Sequence, residues 1–410
     1  MVTIAEVHAA AERLAGHILR TPTLRAAQLS AMTGADVFVK YENMQATGSF
    51  KERGALCKLM ALPKEQKARG VIAMSAGNHA QAVAFHAARL GIPATIVMPQ
   101  TTPAIKIANT RAYGANVILE GETLSEAEAT CLAMIRSQNL TLVHPYDDPL
   151  VIAGQGTVAL EMLADVADLD QLVVPVGGGG LIAGIAIAVK ALHPTIEVIG
   201  VEAALYPSFY NALTGEDRPL GGATLAEGIA VKNVGHLTLP LVRADVASII
   251  LVGESELERA VNGFASHQHA LAEGAGAAGL AAMLAEPARF AGKRVGLILS
   301  GGNIDTRILA SIMVRELERE DRIISFRLTA ADRPGLLGDL ATRLGAAGAN
   351  ILEVSHHRLM LDVPARGVSI DITIETRDRQ HAESILDALA QDGLTPRRLA
   401  SGRRDDPLTD

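Results

Sequence analysis

Four short segments of this 410-residue sequence combine small residues with a residue that could do chemistry. They are SFKERGA at 49–55, SAGNHAQ at 75–81, PVGGGGLIAG at 175–184 and SGGNID at 300–305. Glycine lets a backbone approach a ligand closely, and ligands of open α/β sheets bind at the carboxyl ends of the strands. These segments therefore hold the candidate functional residues.

The first segment places Lys51 in a turn between a strand and a helix. A lone lysine at a helix start is most often a solvated surface residue. Here Phe50 and the apolar helix behind it would bury the base of Lys51, and a desolvated amine has a lowered pKa and becomes a usable nucleophile. Small residues leave room for a bulky ligand beside it: Thr47, Gly48 and Ser49.

The second and fourth segments each place a serine directly after a predicted strand. Ser75 follows the strand 71–74, and its loop opens a helix whose unpaired N–H groups and positive dipole end suit a carboxylate. Ser300 follows the strand 295–299 and would face the ligand crevice. The plainer interpretations are a serine N-cap and a serine closing a turn.

The third segment is a run of four glycines, Gly177 to Gly180, between a buried strand and a helix. Such a run has almost no structural need, so it suggests backbone close to a ligand, and consecutive N–H groups at a helix start can bind phosphate. A competing interpretation is a dinucleotide fingerprint, Gly178-x-Gly180-x-x-Ala183, followed 22 residues after Gly180 by Glu202. A plain fingerprint does not require four glycines.

The elements that must position these segments alternate between strand and helix, which is typical of a parallel α/β sheet. After residue 314 the pattern changes. Residues 315–322 carry seven charged residues and one leucine and read as a linker, and residues 323–403 predict βαββαβ, the ferredoxin-like arrangement. We expect a catalytic domain over 1–314, and a loose polar tail over 404–410.

Together the four segments, in this order and spacing, resemble the fold-type-II pyridoxal-phosphate enzymes related to the tryptophan synthase β chain. Within that group they are similar to the threonine dehydratase and serine racemase branch over roughly residues 5–315. Asp332-Arg-Pro-Gly335 and the residues after it resemble an ACT domain. The resemblance implies two open, twisted parallel-sheet subdomains, with the smaller one, about 50–145, inserted in the larger, and one C-terminal ACT domain.

The resemblance also implies roles for individual residues. Lys51 would hold pyridoxal 5'-phosphate covalently, the four glycines would bind its phosphate, Asn78 would contact the ring hydroxyl, and Ser300 would face the pyridine nitrogen. The substrate carboxylate would lie against Ser75, Gly77, Asn78 and His79. A serine hydroxyl cannot hold the ring nitrogen as a pyridinium, which weakens the electron sink and favours prompt loss of a β-hydroxyl. Lys51 would take the Cα proton.

These roles predict deamination of L-threonine to 2-oxobutanoate and ammonia, with L-serine as a second substrate. A serine racemase, a hydroxyaspartate dehydratase and, more distantly, an NAD-dependent oxidoreductase are the alternatives. Racemases of this branch bind a divalent cation through a glutamate and an aspartate six residues later. Here Glu202 matches the first but Ser208 occupies the second position, which argues against a tight metal site. Tyr146, where racemases tend to have a smaller polar residue, favours a dehydratase.

The composition excludes several other classes. The formal charge of −8 does not suit nucleic acid, and the sequence has no apolar run of about 20 residues that would span a membrane. Two cysteines, Cys57 and Cys131, make no disulfide framework, so we expect a cytoplasmic protein. ACT domains usually pair through their sheets, which predicts a homodimer or homotetramer. We expect an amino-acid effector at the ACT domain, isoleucine or valine if the enzyme serves isoleucine biosynthesis.

Overall fold

The computed structural model describes residues 2–357 and 367–399. Contacts within the chain divide it into two compact units, Met1–Asp305 and Thr306–Asp410. This division falls nine residues before the boundary predicted at 314. The tail predicted over 404–410 lies outside the described residues.

The first unit is built on two sheets. Its strands are β1 (Thr23–Arg25), β2 (Asp36–Tyr41), β3 (Val71–Met74), β4 (Ala94–Met98), β5 (Asn116–Leu119), β6 (Thr141–Leu142), β7 (Gln171–Pro175), β8 (Glu197–Ala203), β9 (Ser248–Val252) and β10 (Arg294–Leu299). One sheet has the order β1-β2-β10-β7-β8-β9 and the other β5-β4-β3-β6. Only the edge strand β1 pairs antiparallel. The smaller sheet comes from chain between β2 and β7, so it interrupts the larger one.

Helices connect these strands. They are α1 (Ile4–Leu14), α2 (Ala27–Thr33), α3 (Lys51–Ala61), α4 (Lys64–Arg69), α5 (Asn78–Arg89), α6 (Ala104–Ala112), α7 (Leu124–Gln138), α8 (Pro149–Asp165), α9 (Gly180–Leu192), α10 (Ser208–Thr214), α11 (Thr238–Asp245), α12 (Glu254–Gln268), α13 (Gly274–Ala285) and α14 (Pro287–Phe290). Short 3₁₀ turns lie at Glu42–Met44 and Glu227–Ile229.

Helices α8 and α9 form the centre of the larger subdomain. Asp148 caps α8, because its carboxylate accepts the N–H groups of Leu150 and Val151 at 2.8 and 3.3 Å. The two helices approach closely at a pair of glycines, where a Cβ on Gly184 would lie 2.6 Å from the backbone nitrogen of Gly156. Residues with side chains at these positions would push the helices apart.

The second unit begins with a helix and continues into an antiparallel sheet. Its elements are α15 (Thr306–Arg319), β11 (Ile323–Ala331), α16 (Leu336–Ala346), β12 (Asn350–His357), β13 (Gly367–Glu375), α17 (Arg379–Gln391) and β14 (Arg397–Arg398). The sheet order β12-β13-β11-β14 confirms the predicted ferredoxin-like arrangement. Apolar residues of β11, β13, α16 and α17 fill its core.

The structure corrects the prediction of a linker over 315–322. Residues up to Arg319 continue α15, and Glu316 and Arg319 form an ion pair at 2.8 Å one helical turn apart. Glutamate, arginine and leucine are good helix formers, so a charged stretch is equally compatible with a solvated helix. Among the described residues, no helix combines the length and apolar character needed to cross a bilayer.

Replacing Gly184 by alanine should destabilise the protein although alanine is the better helix former. The new Cβ would overlap the backbone of α8, and overpacking of this kind typically costs about 1–3 kcal/mol. Gly338→Ala is the matched control, because a Cβ there, on α16, meets no atom within 4 Å; it should stabilise by up to about 1 kcal/mol. Chemical denaturation of both variants measures this, and an unchanged midpoint for Gly184→Ala would contradict it.

Candidate active site

Backbone pairing joins the loop before α3 to the turn after β10. The Phe50 N–H donates to the Ser300 carbonyl oxygen at 3.0 Å, and the Gly302 N–H donates to the Gly48 carbonyl oxygen at 3.0 Å. Ser49 and Gly301 form a β-bridge between them. The first and fourth sequence segments are therefore held together, and Ser300, itself buried, lies beside the lysine loop.

Lys51 is the first residue of α3 and points toward the segment that follows β6. Its Nζ donates to the Pro145 carbonyl oxygen at 2.9 Å and lies 5.1 Å from the centroid of the Phe50 ring. Burial lowers the pKa of the Lys51 ammonium to about 8, an effect that the carboxylate of Glu273 partly offsets. More of this amine is neutral near pH 7 than of an ordinary lysine, as a nucleophile requires.

The glycine run connects β7 to the start of α9. Gly179 has a φ of +88°, in the left-handed region that glycine enters without strain, and it caps α9. Among the described residues, none accepts a hydrogen bond from the N–H groups of Gly177 to Gly180. Four unpaired N–H groups at the amino end of a helix form a suitable binding site for a phosphate.

The expectation that this run has almost no structural need is wrong. A Cβ on Gly178 would overlap the Tyr146 ring, one on Gly179 would lie 2.8 Å from Thr238 Oγ1, and one on Gly177 would lie 3.1 Å from Ile229 Cα. Neighbouring parts of the protein therefore exclude a side chain at Gly178 and Gly179 and leave little room for one at Gly177. The run serves close packing as well as the N–H groups that it exposes.

Tyr146 follows Pro145, the residue that accepts the hydrogen bond from Lys51, and its ring packs against Gly178. Its hydroxyl donates to the Asn233 carbonyl oxygen at 3.2 Å, while the Nδ1 atom of His144 accepts the N–H groups of Tyr146 and Asp147 at 3.3 and 2.7 Å. Burial lowers the pKa of His144, which keeps the ring neutral and Nδ1 able to accept. Hydrogen bonds between its own residues therefore hold the turn that carries Tyr146.

The loop predicted to bind the substrate carboxylate runs from β3 into α5. The Gly77 N–H donates to Ser75 Oγ at 3.2 Å, and Asn78 begins the helix. His79 is turned away, because its Nε2 donates to the Val143 carbonyl oxygen at 2.8 Å, and burial lowers its pKa to about 3. Only the backbone of His79 remains for the role predicted for it.

Glu273 is a residue of this site that the sequence analysis missed. The amide Nδ2 of Asn78 donates to Glu273 Oε1 at 2.6 Å, and Asn303 Nδ2 donates to Asn78 Oδ1 at 2.8 Å. Burial raises the pKa of Glu273 to about 7. The available sequence signal was one glutamate directly before an uncharged, glycine- and alanine-rich helix, GAGAAGLAAMLA.

Glu202, named as a possible metal ligand, has another role in the structure. Its carboxylate accepts the N–H groups of Phe209 and Tyr210 at 2.8 and 2.9 Å, at the start of α10. Ser208 Oγ donates to the Val231 carbonyl oxygen at 2.6 Å. Within the described part of the chain, no group of three histidine, cysteine, aspartate or glutamate side chains could hold a metal ion.

The residues brought together fit pyridoxal phosphate. The site offers a desolvated amine at Lys51, four unpaired N–H groups at the glycine run, and a buried hydroxyl at Ser300 at the end of a strand. An amine can bind the aldehyde carbon, the N–H groups can bind the phosphate, and a hydroxyl can hydrogen-bond a neutral ring nitrogen.

Comparison with known proteins agrees with this chemistry. The model of the pyridoxal-phosphate dependent enzyme family matches residues 14–301, and the ACT domain model matches residues 318–392. The chain therefore belongs to the pyridoxal-phosphate dependent enzyme family and carries an ACT domain.

Individual relatives indicate a group within this family. An L-threonine ammonia-lyase of Thermotoga maritima is 42% identical over 97% of this chain and 99% of its own length. The crystal structure of a T.th. threonine deaminase is 41% identical with a TM-score of 0.70, covering 74% of this chain and 99% of that one. Maize serine racemase is 34% identical with a TM-score of 0.71, covering 78% and 99%. Within its family, the chain belongs with the threonine ammonia-lyases that carry a C-terminal ACT domain.

Gly178→Ala should displace the Tyr146 ring and lower both thermal stability and affinity for pyridoxal phosphate. If the defect is steric, adding Tyr146→Ala should restore much of the melting temperature, because the two side chains compete for one space and their effects are coupled. Melting curves and cofactor titrations of both single variants and the double variant measure this. Strictly additive losses would show that the ring and the glycine do not compete.

Proposed function

We propose that this chain deaminates L-threonine to 2-oxobutanoate and ammonia. The observation that carries the proposal is Lys51, a desolvated amine whose loop is hydrogen-bonded to the strand-end residue Ser300 and whose Nζ donates to Pro145. The relative from Thermotoga maritima, named an L-threonine ammonia-lyase, matches over nearly the whole of both chains. Ser300 in place of a carboxylate favours elimination over steps that need a persistent carbanion.

The chain's own residues have separate tasks in this reaction. The N–H groups at the start of α5 hold the substrate carboxylate, and Lys51 takes the proton from Cα, since a base with a pKa near the working pH transfers protons efficiently. When bound, pyridoxal phosphate supplies an electron sink conjugated with Cα. The β-hydroxyl leaves as water, and the enamine that is released takes up one water, which replaces its nitrogen with the oxo oxygen and frees ammonia.

We further propose L-serine as a second substrate, because it carries the same leaving group on the same carbon. Serine racemisation is the competing outcome, supported by the similarity to the maize racemase. Two observations argue against an NAD-dependent oxidoreductase. The family match is to pyridoxal-phosphate enzymes, and the Glu202 carboxylate, which would bind the ribose, accepts N–H groups of α10 instead. Oxo-acid release from threonine, serine and hydroxyaspartate, measured beside chiral analysis of recovered serine, separates these outcomes.

The ACT domain supports a proposal of regulation. We propose that it binds an amino-acid effector, isoleucine or valine if the enzyme is biosynthetic, in a cytoplasmic homodimer or homotetramer. The stretches 332–335 and 345–350 lie at the two ends of α16, and the resemblance implies an amino-acid site at such stretches. An effector regulates only if it binds two arrangements unequally, and such couplings are usually about 1–3 kcal/mol.

Lys51→Ala should abolish both turnover and the absorbance of the covalently held cofactor, because it removes the nucleophilic amine. Lys64→Ala, at an exposed lysine on α4, should retain both. Oxo-acid release and the visible spectrum of each purified variant provide the readouts. Near-normal deamination by Lys51→Ala would refute the assignment of this residue.

Removing the second unit tests regulation. The chain should end at Asp305, because a cut near Arg315 would divide α15. We expect the intact enzyme to change its substrate affinity with isoleucine or valine, and the shortened enzyme to lose that response. The same response in the intact and the shortened enzyme, or in neither, contradicts regulation by these ligands. Analytical ultracentrifugation of the two enzymes shows whether the ACT domain also stabilises the oligomer.

A further inference from the structure

The side chain of Asn78 is held at both ends of its amide. Its Nδ2 donates to Glu273 Oε1 at 2.6 Å, and its Oδ1 accepts from Asn303 Nδ2 at 2.8 Å. Asn303 Nδ2 also donates to the Thr47 carbonyl oxygen at 2.7 Å, in the loop before Lys51. A primary amide carries two N–H groups, so Asn78 keeps one after donating to Glu273.

Glu273 is in turn fixed by the turn that carries Ser300. Its N–H donates to the Gly301 carbonyl oxygen at 3.1 Å, and it stands directly before α13. Glycine is needed at 301, because a Cβ there would overlap the Glu273 carboxylate and lie 3.2 Å from Asn78 Nδ2. The carboxyl group, the amide and the serine turn thus form one packed unit.

We propose that Glu273 is a positioning residue for the reaction, which holds the Asn78 amide so that its remaining N–H faces the cofactor ring. This inference rests on the proposed function and on the contact of Asn78 with the ring hydroxyl that the resemblance implies. Without Glu273, the amide could rotate and present its oxygen instead. Asn303 fixes the same amide from the opposite end.

The charge of Glu273 makes this role depend on pH. Burial raises its pKa to about 7, while the hydrogen bond from Asn78 and the ammonium of Lys106 on α6 oppose that increase. The other charged groups that act on it are Glu227 of the 3₁₀ turn and Lys51 of α3. An ionised acceptor makes a stronger hydrogen bond than a neutral one. Asn78 is therefore held more firmly as the pH rises through about 7.

Glu273→Gln in the loaded full-length enzyme tests this directly, because glutamine keeps an acceptor oxygen and loses the charge. We expect kcat to fall about 10- to 100-fold at pH 8, with a smaller change in KM, since misplacement near the reacting atoms costs rates of this order. In the wild type we expect kcat to rise as the pH passes about 7, and this rise should disappear in Glu273→Gln. Glu286→Gln, at the other end of α13, is the matched control and should leave kcat and its pH profile unchanged.

A second readout needs no turnover. The absorbance of the bound cofactor, followed from about pH 5.5 to about 8.5 without substrate, should show a transition near the Glu273 pKa of about 7 in the wild type and none in Glu273→Gln. Asn303→Ala should lower kcat yet retain that transition, because Glu273 is still present. If Glu273→Gln does not fold or load, Asn303→Ala decides, because Asn303 holds the same Asn78 amide: a wild-type kcat in that variant overturns the proposal.

The outcomes separate this inference from the proposed function. A wild type that releases no oxo acid from threonine refutes the function, whereas the absorbance titration still tests Glu273. A Glu273→Gln enzyme with wild-type kcat, pH profile and spectrum refutes the positioning role and leaves the function intact.

Discussion

The buried guanidinium of Arg53 is the constraint on which the lysine loop depends. It donates to Glu42 at 2.7 and 2.8 Å and to Glu161 at 2.7 and 2.8 Å, and it ties α3 to the turn after β2 and to α8. Burial alone would raise the pKa of Glu42, but Arg53 outweighs it and the pKa stays below its usual value. Because an unpaired buried charge costs several kcal/mol, these elements must assemble together, and Lys51 is placed two residues away.

Consecutive residues of α3 point in different directions and so connect different parts of the first unit. Arg53 bonds into the larger subdomain, whereas Glu52 bonds to His86 of α5 at 2.9 Å and to the Thr47 N–H. Lys51, before them, points to Pro145. Each residue of a helix is rotated by about 100° from the last, so one helical turn can serve three partners. The lysine is therefore positioned by its own sequence neighbours rather than by distant packing alone.

Much of this arrangement could be predicted from local sequence. Strand β3 has the predicted bounds, 71–74, because a short apolar run that directly follows a glycine leaves little ambiguity. Glu273 could not be predicted, since its significance lies in Asn78, which is 195 residues away in sequence. The packing of the Tyr146 ring against Gly178 likewise joins residues that are distant in sequence. The end of α15 was predicted wrongly for a different reason. Its charged residues are compatible with a solvated helix as well as with a linker.

Ser300 shows how such a scaffold can change its chemistry during evolution. Its carbonyl oxygen accepts the Phe50 N–H and so fixes the lysine loop, a contribution that any residue at this position would make. Its hydroxyl alone would set the electronic demand on the ring nitrogen. Structural and electronic contributions are thus divided between backbone and side chain at one position. A substitution at Ser300 would therefore change the side chain that faces the ligand and leave in place the backbone hydrogen bond that fixes the lysine loop.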